Sequence, residues 1–427
     1  MMRIGKKVLS VLLAIVLCLP LFPNQVQASQ TNGITAGFIK GVDISCITAL
    51  EKSGVKYYDS NHKNRDIFDI LKDKGINYVR IRIWNNPYDT STGKSYGAGN
   101  CDLNNAIAIG KRATAHGMKV YIDFQYSDFW ADPAKQYAPK AWKDYSTDQK
   151  AQAIYQFTYD SLKALLNAGV SVGMVQIGNE TNGSMCGMGG LYDGKWDLST
   201  GVGAAMKKGC QAVTDINSAY KLTGSKAVLR VLHFTDPVTN ASWYAQQVAN
   251  QGIEYDVFAV SAYSFWFGKA DDLATVLQTI AKTYNKKVMV AETSSPYTYE
   301  NGDATANNIT AQKDITYQNY DVSVAGQKQA IKDIFQAVAS VNLQSQTSGY
   351  GLGGFYWEPD WIGVNEKTSD QYGTGWASSV SENYERLFSQ TASQYATTPQ
   401  GSSWDNMALF DKNGVALDSL NAFTELQ

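Results

Sequence analysis

Two acidic residues in this chain follow apolar stretches in the same way. Residues 175–178 are mostly apolar and lead into Asn179 and Glu180, and the largely apolar residues 287–291 lead into Glu292. Apolar runs of this length are typical of strands buried inside α/β folds. The C-terminal ends of such strands form the rim of a barrel, where active sites are built. Two carboxylates on one rim could act as acid and nucleophile on a sugar bond.

Other predicted strands also end in polar or aromatic side chains. Arg80, Arg82 and Trp84 lie on one face of the second strand because side chains alternate along a strand. Two arginines inside a barrel require carboxylate partners. Singly, each of these residues is more typical of a cap or salt bridge, but together they favour a site. The further candidates are Asp123, Tyr126 and Asp128 after the third strand, His233 after the fifth, Tyr263 and Trp266 after the sixth, and Trp357, Glu358 and Trp361 after the eighth.

The elements that must position these residues alternate between strand and helix. Eight such alternations predict a single α/β domain, a (β/α)₈ TIM barrel. An open doubly wound sheet is the alternative, but no GxGxxG follows the first strand. The strands are predicted at residues 39–44, 78–83, 119–124, 171–177, 228–232, 257–261, 287–291 and 354–357. The helices are predicted at residues 65–74, 103–116, 147–167, 202–219, 271–284 and 326–341, with an eighth-position helix at 415–423.

The extra length of the chain lies in loops at one end of the predicted barrel. A plain barrel needs about 250 residues, and this chain has 427. The helix-to-strand connections are short, so the long loops all belong to the C-terminal face and predict a binding groove there. These loops are residues 85–102, 127–146, 181–200, 293–324 and 358–413.

The N-terminus has the pattern of a secretory signal. Three basic residues precede the apolar residues 8–19, and residues 26–28 provide a small-residue cleavage site. No later stretch has the length of a membrane-spanning helix. We therefore expect residues 1–28 to be removed, residues 29–427 to form one catalytic domain, and the protein to be extracellular.

Composition limits the partners and the redox chemistry. The net charge is −2 and there is no basic run, which argues against nucleic acid as a partner. No membrane association is expected either. Outside the signal, the cysteines include no CxxC pair that would indicate zinc. Disulfides are possible outside the cell, and their pairing among four residues is left open: Cys46, Cys101, Cys186 and Cys210.

The motifs at the strand ends resemble glycoside hydrolase family 53, the secreted endo-β-1,4-galactanases of clan A. The resemblance extends from about residue 41 to residue 423. It rests on these segments in order: Gly41-Val42-Asp43-Ile44-Ser45, Val79-Arg80-Ile81-Arg82-Ile83-Trp84, Asp123-Phe124-Gln125-Tyr126-Ser127-Asp128, Trp130-Ala131-Asp132-Pro133, Ile177-Gly178-Asn179-Glu180, Glu292-Thr293, Phe355-Tyr356-Trp357-Glu358-Pro359 and Asp405-Asn406-Met407-Ala408-Leu409-Phe410.

The resemblance implies a retaining mechanism with Glu180 as general acid/base and Glu292 as nucleophile. Retention needs carboxyls about 5–5.5 Å apart, a raised pKa for Glu180, and an ionised Glu292 paired with Arg80 or Arg82. It also implies that Asn179 contacts the sugar hydroxyl next to the attacked carbon and that Tyr263 orients Glu292. The candidate sugar platforms are Trp84, Trp130, Trp357 and Trp361.

Two departures from the family pattern stand near the groove. Gln125 replaces a usual histidine, and Ser264 replaces a usual proline. Relatives also hold calcium in the loop after the seventh strand, where two of the four ligand positions are changed in this chain. Oxygen ligands suit calcium, so a structural Ca²⁺ is expected, with a plain polar loop as the alternative and no organic cofactor. The candidate metal ligands are Asn301, Asp303, Asn307, Ser402 and Asp405.

Three functions are compatible with these sequence features. The first is endo-hydrolysis of β-1,4-galactan, the polysaccharide of pectin side chains, by a monomeric secreted enzyme. The second is another clan A glycanase acting on mannan, xylan or glucan, which would share the catalytic pair and differ in loop contacts. The third is a barrel that binds glycans without cleaving them. The presence of both Glu180 and Glu292 argues against the third.

Overall fold

Eight parallel strands form a closed barrel in the computed structural model, which describes residues 32–189, 191–192, 195–196, 201–397 and 401–426. Each barrel strand pairs with the next along the chain and the last pairs with the first, so this sheet has no free edge. The predicted barrel is confirmed. The strands are β1 (Ile39–Asp43), β2 (Tyr78–Ile83), β3 (Lys119–Phe124), β4 (Val172–Ile177), β5 (Leu229–Phe234), β6 (Val257–Ser261), β7 (Lys287–Thr293) and β8 (Gly351–Trp357).

Helices surround the barrel and pack on its apolar outer face. Six of the predicted helices are confirmed to within two residues at each end. The helix that begins at Pro237 was not among those predicted. The helices are α1 (Ile47–Lys52), α2 (Ile67–Asp73), α3 (Leu103–Ala115), α4 (Thr147–Asn167), α5 (Val202–Ala219), α6 (Pro237–Asn250), α7 (Ser264–Phe267), α8 (Ala270–Tyr284), α9 (Val324–Ser340), α10 (Glu366–Tyr372), α11 (Ser381–Glu385), α12 (Gln394–Thr397) and α13 (Ala422–Glu425).

The predicted eighth-position helix, residues 415–423, is wrong at its beginning. Val415 forms a parallel bridge with Tyr58, and the backbone N–H of Ala416 donates to the Tyr58 carbonyl at 2.9 Å. These contacts hold the two residues extended. Helical structure therefore starts only with the 3₁₀ turn Asp418–Asn421, which leads into α13.

Short elements occupy the loops. Among the described residues, two-stranded antiparallel ladders pair Tyr57–Tyr58 with Asn64–Arg65, Ser184–Met185 with Met188–Gly189, and Leu191–Tyr192 with Lys195–Trp196. Further 3₁₀ turns in the same part of the chain are Lys140–Trp142, Gly224–Lys226, Gln312–Asp314, Val341–Leu343, Ser345–Thr347 and Asp405–Met407. The long loops of the C-terminal face therefore contain ordered turns.

The barrel interior is apolar at one end and charged at the other. Met174 and Phe355 belong to an apolar cluster inside the barrel. Further toward the C-terminal ends, Asp43 of β1 lies opposite Arg80 of β2 in the strand register. Gly41 makes room for this packing, since a Cβ there would lie 2.3 Å from Cδ1 of Phe355. The charged layer thus sits on a packed apolar floor.

The four described cysteines carry free, buried thiols, so no disulfide forms in the described part of the chain. Burial raises the pKa values of three of these thiols, Cys101, Cys186 and Cys210, to about 12. Within the described ranges, none of the helices is long and apolar enough to cross a bilayer. The predicted signal peptide, residues 1–28, lies outside the described residues.

Candidate active site

Glu292 lies at the floor of a cleft formed by the C-terminal ends of the barrel strands. Strand β7 runs two residues past its predicted end and so includes Glu292, which lies opposite Ser261 of β6 where the register shifts. The Glu292 carboxylate forms an ion pair with Arg80 at 2.8 Å and accepts a hydrogen bond from the Tyr263 hydroxyl at 2.9 Å. Both contacts stabilise and orient an ionised carboxylate.

Glu180 follows β4 and faces the same cleft. Gly178 and Glu180 both have left-handed backbone conformations, with φ of 81° and 46°. Positive φ is uncommon outside glycine and concentrates at functional sites. The Glu180 N–H donates to Nδ1 of His233 at 3.3 Å, and its carboxyl Oε1 accepts from Oγ of Ser261 at 2.6 Å. This turn directs the side chain back over the barrel mouth.

One serine hydroxyl joins the two carboxylates. Ser261 Oγ lies 2.6 Å from Oε1 of Glu180 and 3.4 Å from Oε2 of Glu292, which limits the separation of these two oxygens to about 6 Å. Burial, together with repulsion by Glu292, raises the pKa of Glu180 to about 8. The two neighbours therefore differ at neutral pH, because Glu180 holds a proton while Arg80 pairs with Glu292.

Arg80 organises the charged layer beneath the cleft. Its guanidinium is fully buried and contacts the carboxylates of Asp43 and Asp123, both at 2.9 Å, in addition to Glu292. It also donates to Oδ1 of Asn179 at 3.0 Å. Burial raises the pKa of Asp123 to about 6, although Arg80 opposes the shift. The fixed network aims Glu292 and Asn179 into the cleft.

Arg82 supports the wall of the cleft instead of the carboxylate pair. Its Nη1 lies 2.7 Å from Oε1 of Glu358, and its Nη2 donates to the carbonyl of Ala98 at 3.1 Å. The guanidinium carbon lies 4.5 Å from the ring centroid of Trp130. Of the two predicted partners for Glu292, the structure therefore assigns Arg80.

Aromatic side chains form the walls of the cleft. Trp130 and Trp376 are stacked with their centroids 4.6 Å apart, and Trp357 meets Trp404 edge-on at 5.0 Å. Flat apolar rings with polar edges suit the faces of sugar rings. The aromatic residues that line the cleft are Trp130, Tyr263, Trp266, Phe267, Trp357, Trp376 and Trp404.

Comparison with known proteins identifies the family. The model described as glycosyl hydrolase family 53 matches residues 39–423. The chain belongs to glycosyl hydrolase family 53. The endo-β-1,4-galactanase of Bacillus subtilis (strain 168) is 46% identical over 404 residues, covering 92% of this chain and 87% of that protein.

A second curated relative and a solved structure extend this similarity. The arabinogalactan endo-β-1,4-galactanase of Cellvibrio japonicus is 33% identical over 344 residues, covering 79% of this chain and 85% of that protein. The GH53 catalytic domain of Ignisphaera aggregans superposes with a TM-score of 0.77 at 34% identity, covering 92% of this chain and 97% of that chain.

Two of the sugar platforms expected in this family 53 chain are not at the cleft surface. Trp84 is fully buried, and its Nε1 donates to Oε1 of Gln125 at 2.7 Å. Trp361 is 1% exposed and lies parallel to Trp376 at 5.7 Å. The structure corrects both expectations, because a ring covered on all sides cannot stack on a ligand. Trp376 lies in a loop far from any strand end, so the strand-end pattern missed it.

Three polar residues predicted to bind substrate in this family 53 protein are fully buried: Asp123, Asp128 and His233. Asp123 belongs to the Arg80 network. Asp128 accepts from the backbone N–H groups of Asn86 and Lys140, each at 2.8 Å, and so ties two loops together. These contacts correct the prediction that the three residues touch substrate. Asn179, Trp130, Tyr263 and Trp357 do line the cleft with the two glutamates.

Two positions where the chain departs from the family pattern also have clear roles. Gln125 lines the cleft, and its Oε1 accepts from Trp84 and from the N–H of Ala131 at 3.1 Å. Ser264 begins α7, the short helix that carries Trp266. Ser261 was missed as a site residue, although a serine closing an apolar strand was a signal available in the sequence.

The predicted metal ligands lie between the loop after β7 and the segment before the C-terminus. Nδ2 of Asn307 donates to Oδ1 of Asp405 at 2.7 Å and to Oδ1 of Asn301 at 3.1 Å, while its own Oδ1 is buried without a partner. Asp303 accepts from the backbone N–H of Ser402 at 2.8 Å. The described residues contain no group of three or more histidine, cysteine, aspartate or glutamate side chains placed so that they could hold a metal ion. The predicted ligand set instead combines amide, carboxylate and hydroxyl oxygens, and oxygen ligands are the type that calcium takes.

Proposed function

We propose that this protein is a secreted endo-β-1,4-galactanase that hydrolyses the galactan side chains of pectin with retention of configuration. The observation that carries the catalytic part is the Glu180–Glu292 pair bridged by Ser261. The substrate follows from the names of the Bacillus subtilis and Cellvibrio japonicus relatives. A cleft walled by tryptophans suits the sugar rings of a polysaccharide.

In the first step a Glu292 oxygen attacks the anomeric carbon and the bond to the leaving oxygen breaks. Glu180 donates its proton to that oxygen, so the outgoing chain leaves as an alcohol and a galactosyl ester of Glu292 remains. In the second step Glu180, now ionised, takes a proton from water. The hydroxide equivalent attacks the same carbon and displaces Glu292.

The spacing of the carboxylates supports retention. An inverting enzyme needs room for water between its carboxyls, about 6.5–9.5 Å, whereas a retaining pair lies about 5–5.5 Å apart. The limit of about 6 Å that Ser261 sets on two of their oxygens supports a separation near the retaining range. The ion pair with Arg80 orients the Glu292 carboxylate for attack.

Neighbouring polar groups prepare the pair for this chemistry. The Tyr263 hydroxyl fixes one oxygen of Glu292, leaving the other with Arg80. Nδ2 of Asn179 donates one hydrogen to the carbonyl of Ala131 at 2.9 Å. The second amide hydrogen is available to a sugar hydroxyl beside the attacked carbon. Tyr263 thus orients the nucleophile, and Asn179 offers a donor to the substrate.

Calcium fits the loop site as a structural ion. The buried, unpartnered Oδ1 of Asn307 is the observation that supports it. If the nitrogen and oxygen of the Asn307 amide were exchanged, its oxygen would lie beside Oδ1 of Asn301 and Oδ1 of Asp405. These three oxygens would then be available to one ion. An ion held there would tie the loop after β7 to the segment before the C-terminus and supply charge neutralisation for Asp405.

The experiment that tests this function measures reducing ends released by the purified protein. Potato galactan is compared with mannan, xylan and carboxymethylcellulose under one buffer condition. Release from galactan alone, abolished by Glu292→Ala, is the expected result. Release from another polymer alone would show that galactan is not the substrate. The absence of release from all four would favour a barrel that binds glycans without cleaving them. The anomer formed first, read by NMR, tests retention.

Two further points of the proposal have direct tests. The N-terminal sequence of protein recovered from culture medium should begin near residue 29 if residues 1–28 are removed. Light scattering of the purified protein should give the mass of a monomer. Intracellular retention of the full chain would contradict secretion, and a dimer mass would contradict the monomer.

A further inference from the structure

His233 lies beneath the acid/base glutamate in a chain of hydrogen-bonding groups. Its side chain is fully buried. Burial and the nearby charge of Arg80 hold the pKa of His233 well below its usual value, so the ring is neutral. A neutral imidazole has one N–H donor and one acceptor nitrogen. The ring must therefore exist as one of two tautomers, and its neighbours decide which.

Nδ1 of His233 faces one acceptor and one donor. Oδ1 of Asn179 lies 3.0 Å away, and the backbone N–H of Glu180 points at the same nitrogen from 3.3 Å. The orientation of the Asn179 amide is fixed, because its Oδ1 accepts from Arg80 and its Nδ2 donates to Ala131. A protonated Nδ1 can donate to Asn179, and a bare Nδ1 can accept from Glu180. Both tautomers have a partner.

Ser261 couples the tautomer of His233 to the protonation of the Glu180 carboxyl. Its Oγ lies 2.9 Å from Nε2 of His233 and 2.6 Å from Oε1 of Glu180. The hydroxyl has one hydrogen to give. If the hydrogen goes to an ionised Glu180, Nε2 must be the donor to Ser261. If a protonated Glu180 donates to Ser261, the hydroxyl can donate to Nε2 at 2.9 Å, the nearer acceptor compared with Oε2 of Glu292 at 3.4 Å, and Nε2 must then be bare.

We propose that the chain Asn179–His233–Ser261–Glu180 reverses its direction each time Glu180 gains or loses its proton. With Glu180 ionised, the order is Nε2–H to Ser261 and Ser261 to Glu180, and Nδ1 accepts from the backbone. With Glu180 protonated, it donates to Ser261, Ser261 donates to Nε2, and Nδ1–H donates to Asn179. Protonation takes one proton from solvent, which ends on Glu180, while the imidazole proton moves from Nε2 to Nδ1.

The reversal gives His233 a positioning role in the acid step. When Glu180 is loaded with its proton, Oδ1 of Asn179 gains a third donor in addition to Arg80 and Gln176. Asn179 is then held most firmly in the form of the enzyme that is ready to protonate the leaving oxygen. The other charged or titratable groups that act on Glu180 are Glu292, Asp132, Arg80 and Tyr263.

The test reads the tautomer of His233 by NMR of ¹⁵N-histidine-labelled full-length protein between pH 5 and 10. The chain has three histidines, and His62→Gln and His116→Gln assign the other two. The expected result is a neutral ring throughout, with the protonated nitrogen changing from Nδ1 at low pH to Nε2 at high pH. The change should follow a single-proton titration.

Variants decide whether Glu180 drives the change. Glu180→Gln removes the titrating carboxyl and should therefore fix the tautomer ratio of His233 at every pH. Glu292→Gln removes a repelling charge and should move the midpoint to lower pH, while Ser261→Ala should leave a tautomer ratio that no longer follows pH. A single tautomer across the range in the unmodified protein, or a pH-dependent change that survives in Glu180→Gln, would overturn the proposal.

The reversal rests on the acid/base role proposed for Glu180, but the tautomer is read without substrate. If the tautomer of His233 changes with pH but the protein does not hydrolyse galactan, the proposed substrate is wrong and the reversal of the hydrogen-bond chain still holds. Conversely, if the protein hydrolyses galactan but His233 has one tautomer at every pH, the proposed function holds and the reversal of the hydrogen-bond chain is wrong. If both hold, the midpoint of the tautomer change should coincide with the alkaline midpoint of kcat/KM.

Discussion

Arg80 and Glu292 form a buried ion pair of 2.8 Å at the floor of the cleft. Glu180 lies beside the pair and takes part in none of the ion pairs among the residues that the structure describes. The protein thus provides a cation for one carboxyl and burial for the other. This difference supports the proposed roles, attack by Glu292 and proton donation by Glu180.

Replacing Glu180 by glutamine should affect substrates according to their leaving groups. On galactan we expect kcat/KM to fall by about 10²–10⁴, the usual contribution of a positioned acid. A dinitrophenyl β-galactobioside needs no proton on its leaving oxygen, so its kcat/KM should change little. Glu292→Ala is the control and should abolish both. Equal losses on the two substrates for Glu180→Gln would contradict the acid role.

The alkaline limit of activity should be set by Glu180. Because this carboxyl must be protonated to act and its pKa is raised to about 8, kcat/KM should fall as the pH rises above that value. The Ser261 hydroxyl stabilises the ionised form, so Ser261→Ala should move the alkaline limb to higher pH. A limb that moves to lower pH in this variant would show that Ser261 acts otherwise.

Trp376 should contribute binding rather than chemistry. It lines the cleft stacked on Trp130 and is backed by Trp361. We expect Trp376→Ala to raise KM for galactan about tenfold, equivalent to about 1.4 kcal/mol, with little change in kcat. The matched control is Trp243→Ala, since Trp243 is 43% exposed on α6 and does not line the cleft. An unchanged KM for Trp376→Ala would remove it from the binding surface.

Asp128 should affect stability and not catalysis. Its fully buried carboxylate accepts from two backbone N–H groups and lies 3.2 Å from Nζ of Lys140. Asp128→Ala leaves those donors unpaired, so we expect a loss of about 2–4 kcal/mol in the free energy of unfolding. The kcat and KM of the folded variant at low temperature should match the unmodified protein. A large change in KM with an unchanged free energy of unfolding would indicate that Asp128 contacts the substrate.

Calcium should raise the melting temperature through the loop after β7. At a free concentration about 100 times Kd, one ion that binds only the folded state contributes about 2.7 kcal/mol, which is about 3 °C for a domain of roughly 400 residues. Asp405→Asn should abolish the shift, and Asp144→Asn, at an exposed position, should keep it. A melting temperature that is the same in calcium and in EDTA would indicate a loop closed by its own amides.

Local pattern was enough to predict the barrel, its eight strands and the two glutamates. Strand β2 shows why: Arg80 and Arg82 alternate with apolar residues, and that period alone places both inside the barrel. The position of Glu180 and Glu292 directly after apolar runs placed them on the same rim. These properties depend on neighbours in the chain, which the sequence displays directly.

Which side chain reaches the cleft was decided by the tertiary structure. Trp84 and Trp361 carry the same chemical signal as Trp130 and Trp376, but only packing between distant loops determines which ring is covered. The pairing of Arg80 with Glu292 and of Arg82 with Glu358 depends likewise on distances across the barrel. Sequence determines the types and order of the groups, and long-range packing determines which of them meet, because contacts between strands are set by register and not by chain neighbours.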